Sequence, residues 1–481
     1  MSKKGFQGPM FSSRLAMILT CMGMAVGTGN IWRFPREVAK NGGGSFLIPW
    51  IIFLVLWSIP LLMVELSTGQ NTRKGPFGAF AKLTGRNFSW MGGFISICAM
   101  LIMCYYAVVT GWTLRYMIHA ITGSLNGLNY DQAISLFDNF RNTGGAVAFH
   151  LLSVGLAALV VMKGARSIEW LNKILIPALI LILIIGAVKS ISLMMSTEGS
   201  GPTGLDYLFT VEWDRLKDPA HWIAGLTQSA WSTGAGWGLM LAYAVYARDQ
   251  EDPVSTPMAT GLGNNGIEII VALLIFPALF AIMGTGAVEY VSGASWKGGI
   301  AFHTVPVLFN QMEGGYFFNL LFFIGLASAA MTSLVAMVEL STRFFMDFKL
   351  PRKKALLITV GLCVVVGVPS AMSDSIFDNQ DFVWGVGLIL SGIFLAFMVL
   401  KVGIGRFTDE FLKKKSPLFK GIFAASMVLI LLEGLVLIGW WLSDAGSSLI
   451  RWTLGQWAVV ILGLFLFRKK LNDRMSDSDQ A

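Results

Sequence analysis

The sequence predicts an all-α integral membrane protein with twelve transmembrane helices. Of its 481 residues, 55% are hydrophobic and only 13% are charged, whereas a soluble protein would carry about twice that charged fraction. Many apolar runs are long enough to cross a bilayer. Two of these runs are interrupted in the middle by glycines and polar residues. Together these observations indicate a polytopic protein with a polar site inside the membrane.

The apolar runs divide the chain into twelve candidate spans. No soluble domain intervenes, so residues 1–481 are expected to form a single transmembrane domain. The spans lie near residues 12–36, 45–68, 90–121, 145–162, 168–189, 221–247, 260–284, 317–346, 355–371, 383–403, 420–442 and 450–467.

Basic residues concentrate in alternate loops. Arg73 and Lys74 lie between spans 2 and 3, and Lys413, Lys414 and Lys415 lie between spans 10 and 11. Loops rich in lysine and arginine stay on the cytoplasmic side of a membrane. The pattern predicts a multi-pass protein of the inner (plasma) membrane with both termini in the cytoplasm. It also explains the net charge of +8 without a nucleic-acid partner.

Span 1 is broken at residues 25–30 (AVGTGN) and carries Arg33 three residues later. Non-helical backbone at membrane depth persists only where protein or a watery cavity satisfies its N–H and C=O groups. A plain membrane anchor would not place two glycines, an asparagine and an arginine within one span. The break therefore predicts a buried binding site.

Span 6 has a second break at residues 230–238 (AWSTGAGWG), five spans after the first. Corresponding breaks in two halves of a transporter indicate an inverted repeat with a site at the midplane. The repeats would cover about 12–189 and about 221–403, with peripheral helices at about 420–467. The alternative is that these glycines only let helices pack closely. Two breaks at corresponding positions favour the site.

Cysteine and histidine give no sign of metal or enzyme chemistry. The four cysteines lie inside apolar runs without ligand spacing, so they are expected to be packing residues. The four histidines are scattered without partners at catalytic spacing. We therefore expect no enzymatic activity.

Residues 23–35 (GMAVGTGNIWRFP), followed by residues 41–46 (NGGGSF) and Pro49, resemble the neurotransmitter:sodium symporter family and its bacterial, LeuT-like amino-acid transporters. The resemblance runs from about Ser13 to the last span. It implies a LeuT-type fold with two inverted five-helix repeats and broken helices 1 and 6. It also implies an amino-acid substrate, a lipid bilayer as surroundings, and a monomer or homodimer.

The resemblance implies two sodium sites. The first would use the carbonyl of Ala25 and the side chains of Asn30, Ser232 and Asn264, together with the carboxylate of the substrate. The second would use carbonyls and hydroxyls of the following residues: Gly23, Val26, Ala329, Thr332 and Ser333. Because the substrate completes the first site, sodium and substrate would each favour binding of the other.

The same resemblance implies where the substrate would lie. Its carboxylate would meet backbone N–H groups near Gly27 and Gly29 and the hydroxyl of Tyr106. Its amine would face carbonyls around Ala25, Trp231 and Ser232, and its side chain would be enclosed by Ile102, Trp231, Gly234, Trp237, Ser333 and Met337.

Gly27 separates two substrate classes. Monoamine-transporting relatives carry an aspartate there, so glycine favours a substrate that brings its own carboxylate. No charged residue belongs to the side-chain pocket, which predicts a neutral and mostly apolar amino acid.

Glu268 lies one helical turn after Asn264, on the same helix face. Relatives that need chloride have a hydroxyl residue at this position, whereas chloride-independent relatives carry a carboxylate. Trp50 replaces the tyrosine usual near the chloride site. The resemblance therefore implies transport without chloride.

Four residues match the gates of the family. Arg33 and Asp381 match its extracellular ion pair, and Tyr246 and Asp347 match its cytoplasmic gate. The arginine usual in the N-terminal tail is missing, because Gly8 stands at its place.

These expectations combine into a sodium-coupled symporter that imports a neutral amino acid by alternating access. The alternative is a non-transporting amino-acid sensor that keeps the sodium and substrate sites. Such sensors generally need a soluble output domain, and the chain after Arg468 has only thirteen residues.

Overall fold

The computed structural model describes residues 9–197, 202–293 and 299–476, and every regular element in these ranges is helical. The two halves of span 1 are Arg14–Ala25 and Thr28–Lys40. Those of span 6 are Pro219–Ser232 and Leu239–Ala244. The other ten spans, in chain order, are Gly44–Thr72, Ser89–Ile121, Gly145–Met162, Ala165–Ser196, Ser255–Met283, Gly315–Met346, Arg352–Met372, Asp374–Val402, Pro417–Asp444 and Ser447–Ser476.

The number of spans agrees with the twelve predicted. Ten helices of the described ranges are long and apolar enough to cross a membrane, and the bent pair of span 1 forms an eleventh. The halves of span 6 have 14 and 6 residues, so together they complete the set. The predicted all-α membrane architecture is confirmed.

Several span limits differ from the sequence prediction. Span 12 was expected at 450–467 but forms a helix over Ser447–Ser476. Span 5 extends to Ser196, beyond the predicted end at 189. Hydropathy marks the part of a helix that lies in the apolar membrane, whereas backbone hydrogen bonding continues into its polar ends.

Spans 3 and 8 form the centre of the molecule. In the most apolar stretch of each, 83% of the residues are buried, compared with 33% in span 11 and 17% in span 12. A helix that is apolar on all faces and buried on most of them packs against other helices, whereas one that is apolar but uncovered faces lipid. Spans 3 and 8 therefore pack against each other and against other helices, and span 8 contacts both halves of span 1 and the second half of span 6.

The two halves of span 1 meet at an angle of 57°. The first half ends because Val26 is extended, with φ −76° and ψ 103°, and Gly27 begins the second half from an extended conformation. The Asn30 side chain accepts a hydrogen bond from the Gly27 N–H at 2.8 Å. The new helix start is thus capped by its own third residue.

The break of span 6 depends on glycine conformation. Gly234, Gly236 and Gly238 have φ values of +68°, +90° and +77°, a region that residues with a side chain rarely adopt. Three such residues within five positions prevent the helix from continuing between Ser232 and Leu239. A π turn at Leu54–Ser58 in span 2 lies beside this region, where Ser58 Oγ donates to the Ser229 carbonyl at 3.0 Å.

Candidate functional site

A cavity of about 470 Å³ lies where the breaks of spans 1 and 6 meet. All eleven residues predicted to contact the substrate line it: Ala25, Gly27, Gly29, Ile102, Tyr106, Trp231, Ser232, Gly234, Trp237, Ser333 and Met337. They come from spans 1, 3, 6 and 8, which the sequence separates by up to about three hundred positions. The cavity thus combines free backbone groups with an apolar, mostly aromatic wall.

A chain of side-chain amides joins the two breaks. Asn30 Nδ2 donates to Asn264 Oδ1 at 2.8 Å, and Asn264 Nδ2 donates to Ser232 Oγ at 3.2 Å. All three side chains are almost completely buried. The structure therefore brings together the predicted side-chain ligands of the first sodium site. Asn30 and Ser232 line the same cavity as Ala25, and Asn264 joins the two through its hydrogen bonds.

A second oxygen cluster surrounds Ser333, and we use this name for Gly23, Val26, Ala329, Thr332 and Ser333. The Ser333 hydroxyl lies 3.4 Å from the Gly23 carbonyl and 3.2 Å from the Val26 carbonyl, and Thr332 Oγ1 lies 3.0 Å from the Ala329 carbonyl. Met24 contributes a further carbonyl at 3.3 Å from Ser333 Oγ.

These two groups of atoms fit a small hard cation. Carbonyl, amide and hydroxyl oxygens are the donors that such cations prefer, and neither group contains a thiol or imidazole. Within the described ranges, no group of three or more His, Cys, Asp or Glu residues could hold a metal ion. The donor sets therefore suit an alkali cation better than a transition metal.

Tyr106 places its hydroxyl at the start of the second half of span 1. The Thr28 N–H donates to it at 3.2 Å. A Cβ added to Gly27 would lie 2.9 Å from this hydroxyl and 3.1 Å from Ser333 Oγ. Gly27 thus leaves the space between Tyr106 and Ser333 open to a ligand.

Glu268 is fully buried next to the amide chain. Trp50 Nε1 donates to its Oε2 at 2.9 Å, and Gln228 Nε2 donates to its Oε1 at 2.6 Å. Both partners are neutral, so the hydrogen bonds satisfy the carboxyl group without compensating a negative charge. Gln228 was missed in the sequence, although a lone glutamine just before the second break is a detectable signal.

Arg33 and Asp381 line the outer part of the cavity, and in the described chain they form no ion pair with each other. The Arg33 guanidinium instead lies over the Trp231 ring, with its carbon 4.9 Å from the ring centre. Trp231 also meets Trp237 edge-on at 6.0 Å. The cavity is therefore continuous from the breaks to the level of Asp381.

The opposite end of the molecule is closed around Tyr246. Its hydroxyl donates to Glu339 Oε1 at 2.5 Å and accepts from Arg352 Nη1 at 2.8 Å, while Arg352 also pairs with Glu339. The backbone N–H of Phe11 donates to the Tyr246 carbonyl at 3.0 Å. These contacts fasten the residues before span 1 and those after the second half of span 6 to spans 8 and 9.

Asp347 belongs to a different contact of the inner end. It accepts hydrogen bonds from the N–H groups of Gly75 and Gly78, at 2.9 and 3.0 Å. Tyr246 and Asp347, both within the described ranges, share no hydrogen bond. Gly8, the expected place of a gate arginine, lies outside the described residues.

Sequence reasoning also missed Glu65, which is fully buried in span 2. Its carboxylate accepts the N–H of Gly236 at 2.8 Å and that of Leu241 at 3.2 Å. Two donors freed by the second break are thus satisfied from a neighbouring helix. A single acid in an apolar span is by default a functional residue, and this signal could have identified it.

Known proteins are similar to this chain in both sequence and fold. The model of the sodium:neurotransmitter symporter family matches residues 9–133 and 129–377. A sodium-dependent transporter of Methanocaldococcus jannaschii is 30% identical over 367 residues, covering 74% of this chain and 73% of that protein. The sodium-dependent transporter YhdH of Bacillus subtilis is 27% identical over 411 residues, covering 82% and 88%.

A solved structure agrees with this assignment. The crystal structure of MhsT in complex with L-phenylalanine superimposes with a TM-score of 0.78 at 27% identity, covering 89% of this chain and 99% of that chain. Helix count, paired breaks and sequence therefore lead to one conclusion: the chain is a membrane transporter that belongs to the sodium:neurotransmitter symporter family.

Proposed function

We propose that the protein is a sodium-coupled symporter that imports a neutral, mostly apolar amino acid by alternating access and without chloride. The observation that carries this proposal is the cavity between the two breaks, which joins a polar backbone cradle to an apolar wall. The charged amino and carboxylate groups of an amino acid need the polar cradle, and an apolar side chain needs the apolar wall.

The polar cradle suits the carboxylate of an amino acid. The second half of span 1 begins at Thr28, and the N-terminus of a helix favours an anionic group through its N–H donors and its dipole. The N–H groups of Gly27 and Thr28 already donate to Asn30 and Tyr106, so the N–H of Gly29 is the proposed backbone donor to the carboxylate. The Tyr106 hydroxyl faces the same position. When bound, sodium would supply the positive charge that holds this carboxylate from the side of Asn30 and Asn264.

The apolar wall suits an uncharged side chain. Ile102, Trp237 and Met337 line the cavity away from the breaks. Its charged residues, namely Arg33, Arg36, Asp378 and Asp381, lie in the outer part. Burying a charged side chain against the inner wall would leave it without a partner. MhsT, the structural relative, binds L-phenylalanine, which supports an amino acid of this class.

Glu268 supports chloride independence. A carboxyl group already occupies the position beside Asn264 and is held by Trp50 and Gln228. An additional anion at the same place would be repelled by its negative charge and would find these two donors engaged. Glu268 can thus provide the charge that chloride provides in other members.

Access from the two sides differs in this structure. The cavity reaches the level of Arg33 and Asp381, whereas Tyr246, Glu339 and Arg352 close the other end. With the basic loops in the cytoplasm, the open side faces outward. Transport would then require spans 1 and 6 to move against spans 3 and 8, in a monomer or in each subunit of a homodimer.

Uptake of radiolabelled amino acids into proteoliposomes tests the proposal. An inward sodium gradient should drive uptake of neutral apolar amino acids, and replacement of Na⁺ by K⁺ should abolish it. Replacement of chloride by gluconate should leave uptake unchanged. Sodium-dependent binding without uptake would instead indicate a sensor, and preferred competition by lysine or glutamate would contradict the proposed substrate class.

A further inference from the structure

Asn172 of span 5 carries a buried oxygen that no hydrogen bond satisfies. The side chain is fully buried, and its Nδ2 donates to the Ile168 carbonyl one turn earlier, at 2.8 Å. Its Oδ1 has no hydrogen-bond partner among the described residues. A buried polar atom without a partner is rare and costs stability unless water or an ion satisfies it.

The direction of this oxygen is determined by the other half of the amide. Because Nδ2 donates to a carbonyl oxygen, an exchange of the two amide atoms would place oxygen against oxygen. Oδ1 therefore points away from span 5 and towards span 1. A Cβ added to Gly23 would overlap Asn172 Oδ1, and Thr332 Cβ lies 3.2 Å from the same point.

Gly23 and Thr332 are both members of the second oxygen cluster. All members of the cluster come from spans 1 and 8. The unsatisfied oxygen of Asn172 approaches the cluster from span 5. Only a glycine at position 23 allows this approach, because any side chain there would occupy the place of the amide. The chain therefore accommodates Asn172 directly beside the second oxygen cluster.

We propose that Asn172 Oδ1 is a further oxygen ligand of the second sodium site, presented by span 5. The inference rests on the proposed sodium coupling and extends its ligand set to a third helix. A neutral amide oxygen is a suitable donor for an alkali cation, and its coordination would satisfy the atom that the protein leaves unpaired. Sodium at this site would then hold spans 1, 5 and 8 together.

Thermal unfolding of the purified protein as a function of NaCl concentration tests the inference. Choline chloride keeps the ionic strength constant, and amino acid is omitted because the first sodium site is expected to need it. Asn172→Leu has a similar size but lacks the oxygen. We expect it to raise the half-saturating sodium concentration about tenfold, the lower end of the loss seen when residues around a metal are removed.

Two further variants make the outcome specific. Thr359→Val removes a buried hydroxyl that bonds only the preceding turn, to the Ala355 carbonyl, and should leave the sodium dependence unchanged. Asn172→Asp keeps an oxygen towards the cluster and adds negative charge, while its second oxygen faces the Ile168 carbonyl. Bound sodium would offset that charge, so the half-saturating concentration should fall; this variant also provides the measurement should Asn172→Leu fail to fold.

Equal sodium dependence of the wild type and Asn172→Leu would overturn the inference while leaving sodium coupling intact. An unchanged or higher half-saturating concentration in Asn172→Asp would also overturn it. A wild type whose stability and uptake are both indifferent to sodium would overturn the proposed function together with the inference.

Discussion

Gly27 is the residue that bears most directly on the proposed substrate class. The space beside it is bounded by the hydroxyls of Tyr106 and Ser333, at 2.9 and 3.1 Å from the position of an added Cβ. Both distances are closer than ordinary van der Waals contact. An aspartate could be placed there only if both hydroxyls moved, so the observed packing matches a substrate that supplies its own carboxylate.

Gly27→Ala should weaken amino-acid affinity about tenfold, because a displacement of Tyr106 removes one hydrogen bond to a charged group worth roughly 1.5–3 kcal/mol. Equilibrium binding of a radiolabelled neutral amino acid in NaCl measures the effect. Gly266→Ala is the matched control, since nothing lies within 4 Å of its added Cβ. Equal affinities of the two variants would show that the Gly27 space is not used by the substrate.

Glu268→Ser should make uptake depend on chloride. Serine removes the negative charge but leaves Trp50 Nε1 and Gln228 Nε2 as free donors for an anion. We expect uptake in chloride to exceed uptake in gluconate by roughly tenfold, within the ~5–150-fold range typical of coupling between bound ligands. Wild-type protein measured in the same two media is the control, and a variant equally active in both would refute this role of Glu268.

Among individual residues, the sequence predicted those whose polar side chains stand out from the apolar residues around them. Asn30 and Asn264 stand out as amides within apolar spans, and the structure places them in contact. Glu339 could not be connected with Arg352, because nothing in the sequence tells which basic residue will meet a buried acid. Asp347 was matched to the cytoplasmic gate by resemblance, and nothing in the sequence indicated that it would accept hydrogen bonds from the N–H groups of Gly75 and Gly78.

At the scale of helices, Gly385 of span 10 makes room for the indole of Trp231. A Cβ at this position would overlap Trp231 Cζ2 and approach Cη2 to 2.5 Å. Arg33 covers the same indole from the other side. Span 10 thus determines how far the tryptophan of span 6 can extend across the cavity.

Gly385→Ala should lower the affinity for the amino acid and accelerate its dissociation by about tenfold, because overpacking of a tight contact costs roughly 1–3 kcal/mol. Trp231→Phe, which lacks the two overlapping atoms, should restore the affinity when combined with it. Binding and dissociation kinetics measured on both single variants and the double variant check the coupling.

A purely structural disturbance predicts a different pattern. Gly387→Ala, two residues further along span 10, would meet Cys98, Trp457 and Trp384 but not Trp231, so it is the control for general damage to the helix. Additive effects of Gly385→Ala and Trp231→Phe would contradict the proposed contact.

Helices themselves were easier to predict than their irregularities. Apolar length and the clustering of glycines identified twelve spans and both breaks. The π turn at Leu54–Ser58 was not predicted, because its sequence is uniformly apolar and it is stabilised by contact with span 6. The short loop helices Pro76–Leu83 and Tyr130–Asn142 also escaped prediction, since hydropathy does not register helices that lie outside the membrane.

At the scale of the whole molecule, one end is open and the other is closed. At the closed end Tyr246 contacts Glu339 and Arg352, and Phe11 packs against Tyr243 and Tyr246. If this end opens during transport, the open and closed states should differ by only a few kcal/mol.

The proposed alternating access can be tested with a thiol beside Tyr246. Ala247 is fully buried beside Tyr246, so Ala247→Cys should react slowly with a water-soluble maleimide in NaCl. In KCl we expect labelling roughly tenfold faster, because loss of sodium shifts the population towards an inward-open state. The four native cysteines are buried, and the parent protein controls for their reaction. Equal rates in both salts would contradict the sodium-dependent closure.

Glu65 connects span 2 to the non-helical break of span 6. Its carboxylate accepts hydrogen bonds from N–H groups on both sides of Gly238, namely those of Gly236 and Leu241. The break in span 6 is therefore stabilised by hydrogen bonds to a neighbouring helix. If span 6 moves during transport as proposed, this contact would make its second half move together with span 2, while the substrate stays bound between the breaks of spans 1 and 6.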